Sequence, residues 1–478
     1  MNSHPSGLHP FSFRLPQLLL ATSLLWLGGC AAWQQTPYHR PDASVPTQWQ
    51  QPTTAATAAP LAGRWWQAFA DPQLDSLIEQ VLQRNPDLAK AALTLKKARL
   101  QANLTETNLL STPSASLSAS RSRPLDQAGG STTSAGGSAG LSYELDLWGK
   151  LARERDASRW EAEATAQDRE ASALTLIGTA ASAYWQIAYL NQAISLSESS
   201  LADTQRLLAL AQSRYQAGAI GGLDRVQAEQ SVASQQATLL TYQRERDAQR
   251  YTLSLLLDQA PTTQVPERAS LDGVTIPEVA AGVPASVLAH RPDLKASEQR
   301  LREQLATLDA TRLEMYPALS LTATATTSST ALSQLLSNPV GSLGAGLTLP
   351  FVNWQTHDLN NQVQQVTYEA AVIDFRKSLY TAFSEVETAL NAGNSYRRQA
   401  DWLTQALQLA QENERLNESR YRNGASDLQD WLTAQTSRRT AALAVAENQL
   451  NRLNNRMTLL QALGGGDGSL FAGLPATK

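Results

Sequence analysis

Apolar and polar residues alternate strictly along some stretches of this chain and recur every seven residues along others. In "GLSYELDLWGK" the residues Leu141, Tyr143, Leu145 and Leu147 fall on one face, and Ser142, Glu144 and Asp146 on the other. A period of two predicts a strand with one apolar side. "SASLSAS" from Ser114 offers a weaker partner, its apolar members being Ala115, Leu117 and Ala119. Later, Leu319, Leu321, Ala323 and Ala325 alternate with Ser320, Thr322, Thr324 and Thr326, and Leu343, Ala345, Leu347, Leu349 and Phe351 follow the same rule. Gly- and Ser-rich segments at about 121–137 and 327–339 separate the members of each pair, which predicts two β-hairpins.

The seven-residue period belongs to long helices. No proline interrupts 151–215, where Ala180, Ile187, Ile194, Leu201, Leu208 and Tyr215 lie seven apart. Ala183, Leu190, Ser197, Thr204 and Ala211 fill the intermediate slots with mostly small residues, as in a coiled-coil seam. At ~1.5 Å per residue such a helix of about 63 residues is ~95 Å long, beyond any globular domain. A glycine turn at Gly218 reverses the chain into a helix ending near Asp258. The pattern returns with Trp402, Leu409 and Leu416 on the way out, a turn at Gly424, and Ala446, Leu453 and Leu460 on the way back, until Gly464 to Gly466 end the helix. A shorter helix is predicted after Asp71-Pro72, with Leu74, Leu77, Ile78, Val81 and Leu82 as its buried set.

These elements occur twice. "NPDL" at Asn85 recurs as "RPDL" at Arg291, Trp148 as Trp354, and Gly218, Asp224 and Ala228 as Gly424, Asp430 and Ala434, all at an offset of 206. Residues 65–258 and 285–466 are therefore read as two copies of one unit, joined by a linker at 259–284 and followed by a tail at 467–478.

Strands with one apolar face and about 10 residues long suit a tilted crossing of a membrane barrel. Four strands cannot enclose a lumen, which takes about eight, so several chains must share one sheet. A soluble coiled-coil scaffold would show the same alternation. What shifts the balance is the N-terminus, where an apolar run from about Leu18 to Leu27 is too short to span a bilayer and reads as a signal peptide. Leu27, Gly28, Gly29 and Cys30 resemble a bacterial lipobox, so residues 1–29 are expected to be removed and Cys30 to carry lipid, with Ala31 next to it implying sorting to the outer membrane. Residues 30–64, rich in Pro, Gln, Thr and Ala, then form an extended lipidated arm.

Composition adds exclusions. Cys30 is the sole cysteine, so no disulfide framework exists. The net charge of −4 suggests no nucleic-acid partner. His4, His9, His39, His290 and His357 lack metal-ligand spacing, no phosphate-binding glycine loop occurs, and the three methionines do not suggest a soft-metal relay, so neither catalysis nor a cofactor is expected.

The motifs "RWWQAFADPQLDSLI", "NPDL", "LSYELDLWGK", "RPDLKASEQRL", "LTLPFVNW" and the paired "SRYxxG" turns resemble the outer-membrane efflux proteins, in particular the lipoprotein branch serving resistance-nodulation-division pumps. The resemblance covers about Trp65 to Gly466. It departs at Trp354-Gln355, where the family has Trp-Gly as at Trp148-Gly149. It implies a mixed α+β membrane fold: a homotrimeric 12-stranded β-barrel, four strands per chain, continuous with a periplasmic α-helical barrel. It also implies a periplasmic adaptor and an inner-membrane pump as partners, and no enzymatic activity. The exit channel of a type I protein secretion system and a structural periplasmic spacer are the alternatives.

By the same resemblance, the acidic residue six positions after the second copy's turn glycine lines a constricted periplasmic tip, which makes Asp430, and Asp224 at the equivalent position of the first copy, the first gate candidates, with Asp427 beside them. Like charges around one axis repel unless paired, and Arg225, Arg214 and Arg420 are the expected partners. Helix capping is the competing role for these aspartates. Glu144 and Asp146 are expected to face the lumen or its periplasmic mouth, or else to keep a sheet face solvated. Trp148 suits an interfacial girdle or a packing role at the strand base.

Overall fold

The structure, a computed structural model, describes residues 35–50, 63–123, 130–278, 284, 290–330 and 336–465. The signal segment, Cys30 and the C-terminal tail lie outside them. Its elements are α1 (Pro72–Arg84), α2 (Pro86–Glu106), β1 (Thr112–Ser122), β2 (Thr132–Leu145), α3 (Lys150–Gln216), α4 (Gly222–Leu256), α5 (Pro292–Leu313), β3 (Ala318–Ser329), β4 (Pro339–Thr348), α6 (Trp354–Arg422) and α7 (Leu428–Ala462). The chain forms two compact units, each built from both repeats. One holds Met1–Asp42, Leu95–Thr165 and Ser297–Phe375; the other holds Ala43–Thr94, Ala166–Ala296 and Arg376–Lys478.

In the first unit the two hairpins join into one antiparallel sheet of order β1-β2-β3-β4. Register carries the alternation across all four strands. Tyr143 pairs with Leu321, which pairs with Ala345, while Ser142 pairs with Thr322, which pairs with Gly344. One face is thus an apolar row and the other a row of hydroxyls and glycines, with Ser116–Ser138 and Ser120–Ser134 hydroxyl pairs at 2.8 and 2.9 Å. A Cβ added at Gly140 or Gly344 would lie 2.9 Å from a Ser or Thr oxygen, and one at Gly346 3.0 Å. Such crowding on the polar side is what a concave face produces. Here the structure corrects the expected loop at 121–137: β1 extends to Ser122 and β2 already begins at Thr132. Glycine and serine in "TTSAGGSAG" serve a crowded ladder face rather than a turn. At the strand base, Trp148 stacks on Tyr316 at 5.0 Å and donates to the Pro317 carbonyl at 2.8 Å, which ties the two hairpins together.

In the second unit α1 forms as predicted. The Asp71 side chain accepts from the Gln73 and Leu74 amides, so the carboxylate closes the open N-terminal turn, and Pro72 sits where no amide hydrogen is needed. Leu74, Leu77, Ile78 and Val81 are fully buried. At about 1.5–3 kcal/mol for each such side chain, this face alone accounts for the docking of a 13-residue helix. It packs on Ala173, Ile177, Ala180, Tyr184 and Trp185 of α3 and on Leu453, Met457 and Leu460 of α7. Close approach of α7 to α3 depends on Gly178, whose added Cβ would lie 2.2 Å from Gln461 Nε2; that amide donates to the Leu174 carbonyl at 2.7 Å.

The predicted seam on α3 holds except at Leu201, Leu208 and Tyr215, with Ala183 and Leu190 also buried. Ala180, Ile187, Ile194, Ser197, Thr204 and Ala211 are buried, but Tyr215 is exposed, and Leu207 replaces Leu208 inside. An α-helix drifts about 20° per heptad against a strict 3.5 period, so after several heptads the buried line passes to neighbouring positions. On α6 the expected seam residues are not buried among the described residues: Trp402, Leu409 and Leu416 are 71%, 64% and 48% exposed.

Candidate functional site

The two glycine turns close in the same way. Gly218 and Gly424 have φ of +73° and +74°, the left-handed conformation that a side chain disfavours. In the first turn the Gly218 amide donates to Tyr215 O and the Ala219 amide to Arg214 O, at 3.0 and 2.9 Å. In the second, Gly424 donates to Tyr421 O and Ala425 to Arg420 O, at 3.1 and 2.8 Å. Both are Schellman ends, in which glycine reverses the chain and satisfies the last helical carbonyls.

The turns pack on each other through Leu207, Ala211 and Ala228 of the first hairpin and Tyr421, Leu428, Trp431 and Leu432 of the second. Position 225 of the first copy corresponds to 431 of the second, and the exchange matters. Arg225 lies over the Tyr215 ring at 5.6 Å and bonds Glu229 at 2.6 Å, leaving its half of the tip wet. Trp431 instead meets Tyr421 at 5.5 Å, and Arg214 covers the other hairpin's Tyr421 at 5.1 Å. The buried Tyr421 and Trp431 were legible only as a tyrosine three residues before each glycine and an unassigned tryptophan.

The aspartates stand apart from this cluster. Among the described residues, the side chains of Asp224, Asp427 and Asp430 have neither a hydrogen bond nor an ion pair. Asp427 occupies the N-cap position of α7 with extended backbone, yet its side chain makes no capping hydrogen bond. Asp430 is exposed and Asp224 half-buried, each in the first turn of its helix. The expected pairing with Arg225, Arg214 and Arg420 does not occur within the chain. Arg225 goes to Glu229, Arg214 to an aromatic face, and Arg420 to the Ala425 carbonyl at 3.5 Å. Arg225 and Arg420 are thus taken up by groups of their own hairpins and Arg214 by the ring of Tyr421 on the other.

At the sheet, Glu144 is the penultimate residue of β2 and pairs with Lys150 at 3.4 Å. Asp146 corrects the expectation of a strand residue. It lies past the end of β2, and its carboxylate accepts from the Leu151 and Ala152 amides at 3.1 and 2.8 Å, capping α3. Burial pushes the neighbouring Glu154 carboxyl above its usual range against the pull of Lys150, with Glu314 and Glu144 adding to the rise. Among the described residues no group of His, Cys, Asp and Glu could hold a metal ion, and no helix is long and apolar enough to cross a membrane.

Known proteins share this arrangement. The family model described as outer membrane efflux protein matches residues 77–259 and 283–465, one match per repeat. The chain is 33% identical over 432 residues to the pyoverdine export outer membrane protein OpmQ of Pseudomonas putida, covering 88% of this chain and 92% of that one. It is 30% identical over 412 residues to toxin and drug export protein A of Aggregatibacter actinomycetemcomitans, covering 84% and 88%. Its fold is similar to the open-state MtrE outer membrane channel of Neisseria gonorrhoeae, with a TM-score of 0.81, 29% identity, and coverage of 90% and 98%.

Proposed function

Since the chain belongs to the outer membrane efflux protein family, we propose that it is the outer-membrane channel of a tripartite pump, the passive exit duct for drugs and other small amphiphilic compounds. The observation that carries this is the sheet. Among the described residues its edge strands β1 and β4 have no outer partner, its apolar face is exposed at Leu117 and Leu343, and its polar face is crowded. An open edge is a template for another strand, and three copies give twelve strands, enough for a lumen. Exposed Val352, Leu359, Val366, Ile373 and Tyr380, each seven apart at the start of and along α6, supply the apolar stripe by which copies meet. A periplasmic adaptor and an inner-membrane pump complete the assembly, and the unpaired aspartates at the tip gate it. Acylation of Cys30 anchors the chain in the outer membrane. The relative named for toxin as well as drug export supports toxin export as a second reading.

The test is planar-bilayer recording on purified full-length protein. Stable, ion-conducting trimers are expected. A monomer without conductance would remove the channel and leave a periplasmic spacer. Deleting the gene while the pump partners are expressed is expected to sensitise cells to dyes, detergents and antibiotics; unchanged susceptibility rules out drug efflux.

A further inference from the structure

The arm between Thr36 and Arg40 is fastened at three successive points within the first unit. The Thr36 amide donates to Asp309 Oδ2 at 2.9 Å and its hydroxyl to Oδ1 at 2.7 Å. Asp309 is 3% exposed and lies near the end of α5, so these bonds are sheltered from water. Next, the Arg302 guanidinium lies 4.4 Å from the Tyr38 ring centre and 5.2 Å from that of Trp160 on α3, a cation held between two aromatic faces. Then Arg40 forms an ion pair with Glu298 and lies over the Phe375 ring at 5.8 Å, while Arg302 bonds Glu298 at 3.0 Å. Burial, with the Glu298 charge, pushes the Tyr38 phenol up to about 12. Burial would raise the Glu298 carboxyl too, yet the Arg302 and Arg40 contacts hold it below its usual range.

The spacing along α5 explains why three points suffice. Asp309, Arg302 and Glu298 fall seven and four residues apart, on one helix face. An extended arm laid against that face meets a partner at every second residue, Thr36, Tyr38 and Arg40, with alternate side chains turned the same way.

The covalent chain then limits where residue 30 can be. Six residue steps separate Cys30 from Thr36, and at ~3.3–3.6 Å each their full reach is about 20 Å. From Asp309 the chain runs to Leu313 as helix and enters β3 at Ala318, at most ~23 Å away by the same arithmetic. These two reaches match. We propose that Thr36, Tyr38 and Arg40 form a clasp on α5 that acts as a ruler, limiting the acylated N-terminus to the level of the sheet base, where a membrane-embedded sheet meets the periplasmic surface. The ruler rests on the acylation of Cys30 proposed above; the clasp does not. Thr36, Tyr38, Arg302 and Asp309 are positioning residues in this scheme.

The experiment measures chymotryptic cleavage of the Tyr38–His39 bond by mass spectrometry on the full-length trimer in membranes. Cleavage follows the population of the opened arm, so wild type is expected to be cut slowly and Asp309→Ala about tenfold faster. Thr36→Val and Arg302→Met, which leave the buried carboxylate in place, are expected to raise the rate in the same direction. Equal rates in wild type and all three variants overturn the clasp. Deleting Trp33 to Gln35 halves the reach to ~10 Å, so an embedded acyl chain must pull the clasp open. Fast cleavage is expected in that deletion, and slow cleavage when the deletion is combined with Cys30→Ser behind a non-lipoprotein signal peptide. Slow cleavage of the deletion variant with an acyl mass present on Cys30 overturns the ruler. No acyl mass on wild-type Cys30 overturns the anchor itself, and with it the ruler, independently of the Asp309→Ala result.

Discussion

Asp71→Ala is expected to cost about 3–5 kcal/mol, the range for removing one partner of a buried charged network. The carboxylate is 3% exposed and serves three segments at once. It caps α1 through the Gln73 and Leu74 amides, accepts from the Tyr184 hydroxyl of α3 at 3.2 Å, and bonds Arg268 at 3.0 Å. Arg268 belongs to the linker between the repeats, and its own carbonyl accepts from Asn191 at 2.8 Å. Losing Asp71 therefore uncaps α1, leaves the Tyr184 hydroxyl with Gln73 Oε1 at 3.2 Å as its one remaining acceptor and releases the linker. Asp71→Asn keeps an acceptor for the cap and for Tyr184 but not the charge for Arg268; since Arg268 is 29% exposed and can turn to water, about 1–2 kcal/mol is expected. Urea unfolding of the detergent-solubilised trimer, followed by helical circular dichroism, checks both. Asp71→Ala within about 0.5 kcal/mol of wild type would sink the network account.

Replacing Asp430 and Asp224 together by alanine is expected to raise single-channel conductance or open time several-fold in planar bilayers and to weaken cation preference. Each carboxylate is unpaired among the described residues of its chain, so three copies bring six such charges to the tip. Such a ring is held only by groups of neighbouring copies or by bound cations, and neutralising it removes both the links and the cation field. Glu144→Gln serves as the comparison, because Glu144 already pairs with Lys150 and lies at the sheet. It is expected to leave the tip's opening unchanged. If conductance, open time and selectivity of the double variant all equal those of wild type, the aspartates are reduced to their helix-dipole role of ~0.3–1 kcal/mol each.

How far the chain was legible depended on the range of the interactions concerned. Leu74, Leu77, Ile78, Val81 and Leu82 could be read as a buried face because one helix turn sets their spacing. The strands' alternation and the turn glycines were equally plain, being properties of two to six neighbouring residues. The β2 start was missed because Gly136 and Gly137, opposite Ser118 and Leu117, look like a loop until the partner strand is known. Asp146 was misplaced for a similar reason: one residue past the strand, the same carboxylate turns from a face residue into a cap. Of the outer α3 seam, Ser197, Thr204 and Ala211 are buried as read, while the line of Leu201, Leu208 and Tyr215 drifts outward, because a heptad read as exactly periodic ignores the drift of a straight helix.

By itself, the sequence determined the duplication, the kind and order of the elements, the apolar side of each strand and the two reversing glycines, since each depends on local spacing or on identity at a fixed offset. Only the tertiary structure decided which groups pair. Asp71 finds Tyr184 and Arg268, residues 113 and 197 positions away; Thr36 finds Asp309, 273 away. Among the described residues, the side chains of Asp224, Asp427 and Asp430 at the tip find none. No local pattern encodes such meetings, because a side chain's partner is set by where packed helices bring distant backbone together. Thus two turns with one backbone geometry acquire different chemistry: Tyr421 is buried between Trp431 and Arg214, and Tyr215 stands exposed beside Arg225.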